Sequence, residues 1–161
     1  MSTGSGALCN RRRRGGDFQV WKLAVEGGAA RQITRKGGFA ALESKDGKVI
    51  YYAKSRTIPG IWKAPVEGGE ESLVIEDAGG AVWGHFDVLR DGICYVPEKD
   101  NPSRSIMFYD FSTKQARVVA TSEKPVLRVW PGLAVSPDER WILNTQIDSL
   151  TADLMLVENF R

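Results

Sequence analysis

Short apolar or alternating runs, separated by turns bearing glycine and aspartate, recur along this chain. They predict strands over residues 18–25 and 29–34, then 39–42, 49–53, 61–66 and 72–75. The pattern returns at 86–89, 93–96, 106–111 and 117–120, and again at 133–135, 141–145 and 154–157. The run Val-Ile-Tyr-Tyr-Ala at 49–53 is the kind of segment that a central strand buried on both faces requires. Before it, Ser44-Lys45-Asp46-Gly47-Lys48 reads as a hairpin turn, with Gly47 supplying positive φ. Asp91-Gly92 and Ser136-Pro137-Asp138-Glu139-Arg140 fall at the same place in the next two units.

The stretches 39–66, 86–111 and 133–157 therefore follow one plan, with Asp46, Asp91 and Asp138 spaced by 45 and 47 residues. A second repeat is sharper. Val20-Trp21-Lys22-Leu23-Ala24-Val25-Glu26-Gly27-Gly28 returns as Ile61-Trp62-Lys63-Ala64-Pro65-Val66-Glu67-Gly68-Gly69, offset by 41. Strand-built repeats of ~40–50 residues are the signature of β-propeller blades. The expected fold is all-β: two complete and two partial four-stranded antiparallel blades. Residues 1–17 read as a partly disordered start and incomplete blade, and 18–36 as the end of a partial blade without inner strand or acidic turn. The complete blades are 37–83 and 84–130, and 131–161 is a last blade lacking its outer strand.

Composition adds little to this picture. Seventeen glycines, ten of them in five Gly-Gly pairs, fit a turn-rich β chain. A net charge of +2 does not point to nucleic acid or membrane surfaces. No apolar run approaches the roughly 20 residues that span a bilayer, and residues 1–10 contain no apolar signal core. The localisation is left open. Cys9 and Cys94 are too few for a disulfide framework, and Cys94, inside an apolar run, is expected to be a buried, inert thiol.

These motifs resemble the WD-like repeats of TolB-type bacterial propellers. Such blades carry a Ser-Pro-Asp-Gly-Lys turn, an apolar strand, a Ser/Asn-Arg loop and an Ile-Trp-like third strand before Gly-Gly. Here the turn is Ser44–Lys48 and, with changes, Ser136–Arg140; the loop element is Asn10-Arg11 and Ser55-Arg56; the third-strand phrase is Val20-Trp21 and Ile61-Trp62. The second unit departs most, lacking the Ser-Pro and the Trp. The resemblance implies a propeller of six to eight blades that serves as an interaction platform, often within a longer chain. Such a chain can also carry a winged-helix regulator, a kinase or a peptidase.

Candidate chemistry is sparse. The one histidine, His85, has no Gly-x-Ser-x-Gly partner and is expected to be structural or solvent-facing; no catalytic residue is assigned. No cofactor or metal is assigned either, since one histidine and two distant cysteines give no ligand cluster. Asp46, Asp91 and Asp138 should accept backbone hydrogen bonds within their turns. The four arginines at 11–14 read as a solvated loop. Trp21, Trp62 and Trp141 should be core, and Trp83 and Trp130 precede inner strands. Propeller topology puts the loops entering the inner strand (79–85, 121–131) on one rim with those between second and third strands (54–60, 97–105, 146–152). On that rim Arg56, Arg104, Trp130 and Asp148 are the candidate interaction residues.

The function expected is a non-enzymatic scaffold binding a protein or ligand within a larger bacterial protein. The competing readings are the sensor domain of a winged-helix transcriptional regulator and the gating propeller of a prolyl-oligopeptidase-like hydrolase. Direct nucleic-acid binding and membrane insertion are not expected. A sheet face left open costs roughly 10 kcal/mol for about 400 Å² of apolar surface, so further blades or self-association should cover the two end faces.

Overall fold

The computed structural model describes residues 6–12, 17–79, 84–99, 104–126 and 132–146. Among them every regular element is a strand, and the strands form four antiparallel sheets taken strictly in chain order. The first holds β1 (Gly6–Arg12), β2 (Phe18–Ala24) and β3 (Arg31–Gln32). The second is β4 (Phe39–Glu43), β5 (Val49–Ala53), β6 (Ile61–Pro65) and β7 (Ser72–Ile75). The third is β8 (Phe86–Val88), β9 (Gly92–Tyr95), β10 (Ser105–Asp110) and β11 (Ala116–Thr121). The last pairs β12 (Leu133–Val135) with β13 (Ile142–Asn144). Sheets of this kind, each a meander followed by the next, are propeller blades: two complete and two partial.

What binds the sheets is the two-residue period of a strand, which sends neighbouring side chains to opposite faces. Ile50 and Tyr52 of β5, with Ala64 and Val66, pack on Val20 and Ile33 of the first sheet. Tyr51 and Ala53, with Ile61 and Ile75, pack on Phe86, Val88, Ile93 and Tyr95 of the third. A third cluster joins Cys94 and Ile106 to Leu133 of the last sheet. The innermost strands line up accordingly, β8 touching β4 on one side and β12 on the other.

Turn chemistry explains the hairpins. Asp46 accepts from the Ser44 hydroxyl (2.6 Å) and the Lys48 amide (3.1 Å), and Gly47 sits at φ 68°. Asp138 repeats this with Ser136 and the Arg140 amide, but Glu139 takes the left-handed place at φ 59°. Asp91 does not follow. Its turn is two residues shorter, closed by the Leu89 amide on the Gly92 carbonyl at 2.9 Å, and leaves no amide placed for its carboxylate. The same bonding appears instead at Asp110, which holds Ser112 and Thr113.

Two further expectations need correction. Residues 6–12 form a strand, not a start or loop, because β2 offers them a full ladder that includes Arg11↔Gln19 and Arg12↔Phe18. Trp141 is not core: it is 67% exposed, just before β13. Its face points away from the third sheet, where no described residue covers it. The expected third strand at 154–157 lies outside the described residues.

Candidate functional site

Three connections converge at one end of the first seam. Asp17 and Phe18 lead into β2, residues 35–38 carry the chain from the first sheet to the second, and residues 54–58 leave β5. Together they line a cleft of about 490 Å³ whose wall includes Phe18, Lys36, Phe39, Lys54, Arg56 and Ile58. The crossing between the sheets has to be glycine. A Cβ at Gly37 (φ 98°) would lie 2.2 Å from the Lys54 carbonyl oxygen, and one at Gly38 2.7 Å from Val20 Cγ2. Gln19, nearly buried, fixes this crossing by accepting from the Gly37 amide at 3.2 Å and the Thr34 hydroxyl at 3.0 Å.

The cleft is aromatic with a cationic mouth. The Phe18 and Phe39 rings meet at 5.1 Å, tilted by 47°. The Arg56 guanidinium lies 5.9 Å from the first ring centre and 5.7 Å from the second, within the ~6 Å at which the quadrupole of a ring attracts a cation. Lys54 is already engaged, over the Trp62 ring at 3.6 Å and with Glu71 at 3.3 Å. Burial pushes the Glu71 carboxyl up, but the hydrogen bond from the Arg35 amide, with the Tyr52 hydroxyl and the Lys54 ammonium nearby, outweighs it and holds the group below the ordinary glutamate value. Lys36, Arg56 and Asp17 are the other charged residues among the described lining.

The other candidate residues are scattered. Arg104 is exposed in the third sheet, where its carbonyl accepts from the Ser122 amide at 2.7 Å, and it does not line the cleft. Trp83, Trp130 and Asp148 lie outside the described residues. Cys94 is 3% exposed, and burial pushes its thiol up to about 11. His85 is fully buried, with Gly132 of the last sheet against it. No group of three or more metal-ligating side chains occurs among the described residues, and none of their helices is long and apolar enough to cross a membrane.

Phe18, Lys36 and Phe39 were missed from sequence, although the rim rule covers them. Residues 35–38 are another connection entering an inner strand, and Phe39 opens that strand.

A solved structure from Agrobacterium tumefaciens, assigned as TolB, is similar to the chain with a TM-score of 0.59. The identity is 18%, over 83% of this chain and 53% of that one. The fold is that of a TolB-type β-propeller. The chain thus spans about half the length of the TolB structure it matches, and at this identity the likeness concerns the fold. No protein-family model and no curated protein matches the chain.

Proposed function

We propose that the chain is a non-enzymatic TolB-like propeller module, an interaction scaffold within a larger bacterial protein. Its binding site is the cleft at the first seam. The observation that carries this reading is the Phe18–Phe39 pair under Arg56: apolar ring surface beside a guanidinium, on connections held by rigid sheets. That chemistry suits an extended protein segment in which an aromatic side chain is flanked by carboxylates. The full burial of His85, the only histidine, supports a binding role over a hydrolytic one.

The test is fluorescence polarisation of the full chain with labelled peptides that place one aromatic residue between acidic, neutral or basic neighbours. The acidic set should bind, more weakly as salt rises. Arg56→Glu should weaken binding by about tenfold, equivalent to ~1.4 kcal/mol. Equal binding of the three sets, or an unaffected Arg56→Glu protein, would remove the proposal.

A further inference from the structure

Each middle sheet has one face packed on the sheet before it and the other on the sheet after it, whereas among the described residues the first and last sheets each have one face left over. On the first sheet, Val20 points into the core shared with the second. Across β1 and β2, Cys9 pairs with Trp21 and Ala7 with Leu23, so by strand alternation these four share the opposite face. The nine-residue repeat puts Trp21, Leu23 and Val25 at the positions of Trp62, Ala64 and Val66. Those three belong to the cluster by which the second sheet meets its predecessor. Ala7, Cys9 and Val25 are exposed, Val25 at 69%.

The last sheet shows the converse. Leu133, Val135 and Ile142 pack back on the third sheet, leaving Ala134, Trp141 and Leu143 turned outward, with Trp141 67% and Leu143 68% exposed. Aligning Ser136 with Ser44 sets Leu143 at the place of Tyr51, whose ring stacks at 5.4 Å on Phe111 of the following sheet. The last sheet thus presents the face that a blade turns to its successor, and the first sheet the face that a blade turns to its predecessor.

We propose that two copies of this chain associate head to tail, the last sheet of each packing on the first sheet of the other, to close one eight-sheet propeller. The four sheets among the described residues of each copy give eight, within the 4–8 blades that propellers use. A two-fold axis makes two identical heterologous seams, and such seams form a closed ring when the rotation permits. Each is a continuation of seams the chain already builds, where the Arg31–Glu67 ion pair and the Arg90 amide on Glu139 join neighbouring sheets.

Sedimentation equilibrium of the full chain, followed over a concentration series, tests this. The expected mass is that of two chains, against 17.8 kDa for one. Leu143→Glu and Val25→Glu each alter an exposed residue on one face, and circular dichroism checks that both stay folded. Each variant alone should sediment as a monomer, while their equimolar mixture should recover the pair, because one seam is then intact. Alkylation of Cys9 should be slow in the pair and at least tenfold faster in the Leu143→Glu variant. A wild-type monomer at every concentration would overturn the proposal and leave these faces to further blades of a larger protein. Open polymers, or a Leu143→Glu protein that remains dimeric, would also overturn it.

Discussion

The backbone amide of Arg90 donates to the Glu139 carboxylate at 3.0 Å, joining the short turn of the third sheet to the corresponding turn of the last. The same residue holds a left-handed conformation (φ 59°) where the second sheet has Gly47. Glu139 therefore combines a strained backbone with a hydrogen bond between sheets. Glu139→Gly should be nearly neutral, because relief of about 1 kcal/mol of backbone strain offsets the lost bond. Glu139→Ala loses the bond and keeps the strain, so it should be destabilised by about 1 kcal/mol. Urea denaturation of both variants checks the order.

Gly92 begins a central strand with Phe108 lying across it. A Cβ there would sit 2.1 Å from the Tyr109 carbonyl oxygen and 2.4 Å from the Phe108 ring. Gly92→Ala should therefore destabilise by about 2 kcal/mol or more, since both backbone and ring must shift. Gly47→Ala, with nothing within 4 Å but φ at 68°, should cost only about 1 kcal/mol. Thermal melts of the two variants should separate in that order.

Strand order and blade number were legible because short apolar runs and acidic turns leave a period that survives divergence. The lost strand was β1: Gly-Ala-Leu-Cys-Asn-Arg-Arg has no β-branched residue, and its pairing comes entirely from β2. A signal was present, since Cys9 stands opposite Trp21 as Tyr52 stands opposite Trp62. Trp141 misled for another reason. A strand pattern shows that a side chain is apolar but not whether the sheet it should meet is present. Of the rim residues picked from sequence, Arg56 lines the cleft, whereas the Phe18–Phe39 contact depends on two strands ending side by side, which no local pattern encodes.

Glu71 ties the second sheet to the first through the Arg35 amide at 2.8 Å. Because its folded-state pKa is depressed, it contributes stability above the ordinary glutamate range, and that contribution disappears as pH falls through the depressed value. Glu71→Gln should therefore be less stable than the wild type at neutral pH, with the gap closing as pH falls below the ordinary glutamate range. Denaturation midpoints across pH check this; a gap independent of pH would assign Glu71 a packing role only.

The two thiols should differ sharply toward iodoacetamide in the Leu143→Glu protein. Cys9 is exposed, while Cys94 is buried with its thiol pushed up to about 11. Mass spectrometry should find Cys9 modified first and Cys94 only on unfolding.

Packing of one sheet on the next underlies everything above, and the stacked rings of Tyr51 and Phe111 cross such a seam. A double-mutant cycle of Tyr51→Ala and Phe111→Ala measures their coupling directly. A propeller seam predicts about 0.5–1.5 kcal/mol of interaction beyond the separate effects. Additivity within about 0.3 kcal/mol would contradict the contact between successive sheets.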